Sequence, residues 1–134
     1  MNDLVQPSDV SLESLQALYD GAFMQTQIDE HGNLYVLDRF RCYVNPIGEG
    51  RRIHLFALFK AAEGASDDLK LRFANRVNDT LILVRATMDQ TGFCFDTYIP
   101  VDGGIAPKAV ILATRAFMDL VKDIGQFDTD GALA

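Results

Sequence analysis

Three short stretches of this chain carry residue types that could do chemistry. Asp29-Glu30-His31 sets two carboxylates beside an imidazole, a donor set that a divalent cation could use. Consecutive side chains at a turn point apart, however, and Gly32-Asn33 completes turn chemistry by itself, so the stretch reads as a polar turn. Val101-Asp102-Gly103-Gly104-Ile105 precedes a helical pattern, and glycines ahead of a helix start can cradle a phosphate. A dinucleotide fingerprint needs G-x-G-x-x-G and a P-loop needs G-x-x-x-x-G-K-[ST], and neither is present. Pro107 removes an amide donor that would face the anion, and Asp102 would repel it. Gly103 and Gly104 are therefore expected to form a strand-to-helix connector with positive φ. Asp128-Thr129-Asp130-Gly131 begins like a calcium loop, but the chain ends before a twelfth-position glutamate.

The remaining reactive types stand alone. His54 has no cysteine or serine nucleophile in a recognisable setting beside it, and reads as a surface or packed histidine. Cys42 and Cys94 are far apart, form no CxxC pair, and fall in strand patterns, where a free thiol is usually a small buried hydrophobe. The expectation is a protein with no catalytic residue, cofactor or metal ligand, and hence not an enzyme. Asp96, Arg85 and Asn75 are the polar groups that could serve the alternative, a small-molecule sensor or enzyme with a pocket between sheet and helices. Arg85 and Asp96 also fit a cross-strand ion pair.

Composition narrows the partners. A chain of 134 residues, 49% hydrophobic and 23% charged, can bury a core as a single domain without staples. Its net charge of −7 argues against broad contact with a phosphate backbone or an anionic membrane. Arg39, Arg41 and Arg52 with Tyr43 and Phe56 could stack bases, but the overall acidity opposes nucleic acid. The first ten residues show no secretory pattern, and no apolar run reaches the ~20 residues of a membrane span. With reduced thiols, this points to the cytoplasm.

The elements that must position these residues follow from periodicity. Residues 7–22 read as a helix capped by Ser8 or Ser11, with Val10, Leu12, Leu15, Leu18, Tyr19 and Ala22 on one side. "FMQTQIDE" alternates as a strand, "EHGN" turns, "LYVLDRFRCYVN" is one long strand bent near Asp38, "NPIGEG" turns, and "RRIHLFALFK" is a third strand. Ser66 caps a helix to about Asn78. "TLILVRATMD" and "FCFDTYI" form a hairpin around "QTG", and the longest helix runs from Ala106 to Ile124, with Pro107 in its first turn and Gly125 as its stop. Residues 1–7 and 128–134 are expected to fray. The order α-β-β-β-α-β-β-α implies an α+β fold: a five-stranded antiparallel sheet with helices on one face.

The uncovered face can be read by pairing the hairpin so that Cys42 opposes Ile53 and Phe40 opposes Leu55. Phe40, Cys42, Val44, Ile53, Leu55, Ala57 and Phe59 then line the core. Arg39, Arg41, Tyr43, Arg52, His54, Phe56 and Leu58 line the other face, a mixture of arginine, aromatic and aliphatic groups enriched at protein contacts.

Several strings, "QIDEHGNLYV", "RIHLFALFK", "FANRVND" and "TLILVRATMDQTGFCFDTYIPVDGGI", resemble the bacterial YbjN family from about Leu12 to Ile124. The ordered set carries the likeness: an acidic-Gly turn, an Asn-bearing second helix, an R-A-x-x-D-x-x-G hairpin, then P-V-x-G-G-I. Members are labelled sensory transduction regulators, and the family is similar in fold to class I type III secretion chaperones, small acidic homodimers that bind extended segments of other proteins. The resemblance implies the same element order and brings no catalytic residues. The resulting expectation is a chaperone-like or regulatory module, a homodimer through the open face and the long C-terminal helix, that accepts an apolar or basic segment of another protein by edge-strand addition or in a groove beside the helices.

Overall fold

The computed structural model describes residues 4–134. After a 3-10 turn at Pro7–Asp9 come α1 (Leu12–Gly21), β1 (Gln25–Ile28), β2 (Leu34–Leu37), β3 (Arg41–Ile47) and β4 (Arg52–Lys60). Then follow α2 (Asp67–Thr80), β5 (Arg85–Met88), β6 (Gly92–Pro100), α3 (Pro107–Lys122) and a closing 3-10 turn at Ile124–Phe127. All the strands join one antiparallel sheet in the order β1-β2-β3-β4-β6-β5.

Local chemistry sets the helix starts. Of the two candidate caps, Ser11 is the one used: its Oγ accepts the Ser14 amide at 3.0 Å. Ser66 does the same for Leu69 at 3.1 Å, with Asp67 and Asp68 in the first turn. The buried stripes of α1 (Leu15, Tyr19), α2 (Phe73, Ala74, Val77) and α3 (Val110, Thr114, Phe117, Val121) join one core with Ile53, Leu55, Ala57 and Phe95 of the sheet. The helices therefore cover one face. At the centre of that layer the hydroxyls of Tyr19 and Thr114 lie 2.8 Å apart. Thr114 donates its proton to the Val110 carbonyl, so Tyr19 is the donor between the two.

The sheet has six strands, not five. The stretch expected as one bent strand reverses at Asp38-Arg39-Phe40 and becomes the pair β2–β3, with Tyr35 opposite Tyr43. Asn45-Pro46-Ile47, expected in a turn, continues β3, and the turn is Gly48 to Arg51. Proline is tolerated there because β3 pairs with β2 only up to Tyr43, leaving Pro46 on a free edge. The hairpin register moves accordingly: Leu55 faces Val44 and Ile53 faces Pro46, instead of Phe40 and Cys42. The shift is four residues, an even number, so the side chains within β3 and β4 keep their expected faces.

Other expectations also change. The first helix splits into a 3-10 turn and α1, α2 runs on to Thr80, and the strand expected over "TLILVRATMD" shrinks to Arg85–Met88. Gly125 lies inside the closing 3-10 turn instead of ending the helix. Both described ends make hydrogen bonds with the body of the protein. Val5 exchanges two backbone bonds with Ile105, of 2.7 and 2.9 Å, while residues 1–3 of the expected frayed start lie outside the described residues. At the other end Ala132 is fully buried, its carbonyl accepts the Ala62 amide, and Asp128 accepts the amides of Ala132 and Leu133. The fragment that resembles a calcium loop is thus a cap that docks the tail.

Candidate functional site

Across the open face one row of side chains spans every strand. Gln27, Tyr35, Tyr43, Phe56, Asp96 and Arg85 stand opposite one another in register. The rings of Tyr35 and Tyr43 lie 5.7 Å apart and those of Tyr43 and Phe56 stack at 5.1 Å. The adjoining row is Asn45, His54 and Tyr98. His54 lies between two rings, 4.9 Å from Phe56 and 4.6 Å from Tyr98. Guanidinium groups sit over the ladder: Arg41 at 4.6 Å from the Tyr35 ring centre and Arg52 at 5.5 Å from that of Tyr98.

One carboxylate anchors the face. Asp96 accepts Arg85 Nε at 3.0 Å and Nη2 at 2.7 Å, a bidentate fork, together with His54 Nε2 at 2.8 Å. An ionised carboxylate only accepts, so His54 carries its proton on Nε2. Burial pushes the Asp96 carboxyl up, but the bonds from Arg85 and then His54 outweigh it and hold the group below the usual carboxylate range. The same carboxylate pulls the already high Arg85 value higher still, first through the hydrogen bonds. The cross-strand ion pair expected from the sequence is therefore present.

Six of the seven residues expected on this surface come together here. Arg41 and Tyr43 project from β3, and Arg52, His54, Phe56 and Leu58 from β4. Arg39 does not join them, because the unforeseen reversal places it in the β2–β3 turn. Tyr35, Asp96 and Tyr98 belong to the same surface. The signal for the last two was the alternation of "FCFDTYI", whose other members, Phe93, Phe95 and Ile99, are core. Among the strand residues of this face, Arg41, Arg52, Lys60 and Arg85 stand against Asp96 alone, so the face is basic on a chain of net charge −7.

The polar residues considered for a ligand pocket do not converge. Arg85 and Asp96 bind each other on the open face, and Asn75 is exposed on α2. A groove of about 410 Å³ between sheet and helices is lined by Met24, Val36, Arg115 and Met118, and none of the three reaches it. Asp29 accepts the amides of His31 and Asn33, both at 2.9 Å, which makes the first stretch a turn. Among the described residues no three His, Cys, Asp or Glu side chains cluster as a metal site, and no helix is long and apolar enough to cross a membrane. Gly103 and Gly104 take φ of 84° and 91°, as a connector requires, and Val5 occupies the Ile105 amide beside them.

The family motifs have structural roles. The Asp89 carboxylate accepts the Thr91 and Gly92 amides and closes the β5–β6 turn. A Cβ on Gly92 would sit 2.1 Å from the Phe59 carbonyl oxygen. Asn78 reaches from α2 to the outer edge of β5, accepting the Ala86 amide at 2.7 Å and donating to its carbonyl at 2.9 Å. Buried Lys70, which the sequence reading did not single out, donates to the Asp89 carbonyl at 3.1 Å and clamps the same turn.

A six-stranded antiparallel sheet with its helices on one face defines an α+β fold. Similarity to known proteins agrees. A family model matches residues 11–126, and the chain belongs to that family, YbjN, described as "Putative bacterial sensory transduction regulator". The structure is similar to the crystal structure of YbjN from E. coli, with a TM-score of 0.75 at 16% identity over 98% of this chain and 99% of that one. It is similar to a chain of the HopA1–SchA chaperone–effector complex, with a TM-score of 0.56, 14% identity and coverage of 85% and 89%. It also resembles the Yersinia pestis type III secretion chaperone SycH, solved with a fragment of YscM2, at a TM-score of 0.54, 13% identity and coverage of 84% and 98%. No curated protein matches it in sequence.

Proposed function

We propose that this chain is a single-domain, non-enzymatic protein-binding module, a regulator or chaperone, that pairs with a second copy through the open sheet face and holds a segment of another protein. The observation that supports it is the uncovered ladder of Tyr35, Tyr43, Phe56, His54 and Tyr98, with the Arg41 guanidinium over Tyr35 and that of Arg52 over Tyr98. Arginines stacked in this way are less hydrated than lysines and lose less on burial. Five strand spacings of ~4.8 Å and strands about 23 Å long give a face of roughly 550 Å², or about 1,100 Å² for two copies. That is near the lower bound of a specific interface, roughly 1,200 Å². Two proteins of similar fold were solved in complex, one as a chaperone–effector complex and one with a fragment of YscM2, which supports the second half of the reading.

Light scattering coupled to size exclusion at micromolar concentration tests it. The native chain should run as a dimer, and Arg41→Glu with Arg52→Glu should make it a monomer, because four carboxylates would then confront each other across the two-fold. A native monomer refutes the pairing. An undisturbed dimer in the double variant moves the interface off this face.

A further inference from the structure

We propose that an extended segment of a partner protein adds as a strand along the Tyr98–Pro100 edge of β6, beside the exposed linker between α2 and β5. This rests on the protein-binding reading and gives the bound segment a site and a chemistry.

Backbone alternation identifies the edge. The Val101 amide bonds Arg51 and the Thr91 carbonyl accepts from Ala61, so odd-numbered residues of β6 turn their backbone groups toward β4. The Gly92 carbonyl accepts from Asp89, so even-numbered residues turn toward β5. Continuing the register of Arg85 opposite Asp96 would set Leu83 opposite Tyr98. The chain does not continue it. β5 begins at Arg85, and Leu81-Ile82-Leu83-Val84 leaves the sheet with Ile82 96% and Leu83 65% exposed. Among the described residues no backbone bond reaches the outer N–H and C=O of Tyr98.

The result is a notch of about 470 Å³ whose lining includes Leu81, Ile82, Leu83, Tyr98 and the paired Arg85 and Asp96. An unpaired N–H and C=O on one residue take an extended backbone. Two exposed aliphatic side chains beside them favour an apolar segment. Arg85 gives Nε and Nη2 to Asp96 and leaves Nη1 for a carboxylate, so the segment carries an acidic residue. The neighbouring edge is closed by contrast, since the Asn78 amide occupies the outward groups of Ala86 and blunts β5 against the same event.

A fluorescent nonapeptide alternating valine and threonine, with a central glutamate, serves as probe on the full chain. Anisotropy should show saturable binding, and hydrogen exchange should show the Tyr98 amide fast in the free protein and slowed in the complex. Ile82→Asp with Leu83→Asp should weaken binding roughly tenfold or more. Both positions are solvent-exposed, so the fold should survive. A peptide N-methylated on alternate residues keeps its side chains and should not bind. Four results would overturn the proposal: no saturable binding, equal binding by the methylated peptide, unchanged affinity of the double variant, or a Tyr98 amide already as slow as that of Asp96. A dimer lost in the Ile82→Asp/Leu83→Asp protein would assign the notch to a second copy instead. Peptide binding that survives in monomeric Arg41→Glu/Arg52→Glu protein separates the two readings, as does a dimer that persists without peptide binding.

Discussion

The two faces of the sheet are built from alternate residues of the same strands, yet they are held by different physics. On β4, Ile53, Leu55 and Ala57 are fully buried under the helices, while Arg52, His54, Phe56 and Leu58 face outward one residue away. The covered face is cohesive through excluded water and close packing, with Phe73 edge-on to Phe93 at 5.0 Å and Phe59 edge-on to Phe95 at 5.4 Å. The open face is cohesive through stacked rings and one charge network around Asp96. The first face makes the fold stable. The second spends side-chain area that the core does not need, which is how a surface kept for a partner differs from a surface kept for water.

The sharpest way to break the comparison is to truncate one aromatic ring on each face. Phe95→Ala should cost about 3–5 kcal/mol in chemical denaturation, because a fully buried ring leaves a cavity. Phe56→Ala, measured on the monomeric Arg41→Glu/Arg52→Glu background, should cost no more than about 1.5 kcal/mol, the order of the lost stacking. Similar costs at the two positions would mean that the open face is part of the core.

A smaller effect tests the charge network. Asp96→Asn should destabilise the native chain by about 1.5–3 kcal/mol at pH 7, the range for hydrogen bonds to a charged group. Because the folded carboxyl titrates below its unfolded value, the wild-type advantage is present above about pH 4 and fades as pH falls through the lower folded value. Denaturation midpoints of both proteins across acid pH should therefore converge. An advantage that grew toward low pH would reverse the sign and exclude Asp96 as an ionised anchor.

The thiols make the gentlest comparison, one on each face. Burial pushes Cys42 up to about 12, and burial followed by the Asp96 charge also raises the half-buried Cys94. A maleimide at pH 8 should label Cys94 slowly in the folded protein and leave Cys42 untouched until denaturant is added. Equal labelling of both would show that the covered face opens on the labelling timescale.

Most of the fold was legible because binary patterns survive errors of register. The alternation in "RRIHLFALFK" separated core from surface residues correctly, although the β3–β4 pairing was misplaced by four residues. The reversal at Asp38-Arg39-Phe40 was legible only as a bend: the alternation falters at Asp38, but no glycine or proline marks a full turn. Arg39 was assigned to the surface for that reason and lies off it. "TLILV" has the composition of a strand, and only the departure of the linker from β6 leaves Ile82 and Leu83 uncovered. The network around Asp96 was half legible: Arg85 sits across a hairpin from it, within a short loop, whereas His54 arrives from a strand forty-two residues away.

By itself the sequence determined which residues shun water, where helices begin and which side of each strand is polar, because those properties depend on spacing within a few neighbours. Tertiary structure alone decided the number of strands, the register that stacks Tyr43 on Phe56, the burial of Asp96 between Arg85 and His54, and the unpaired edge at Tyr98. Each of these is a meeting of segments distant in the chain, and such meetings are chosen by the packing of the whole and not by any stretch of it.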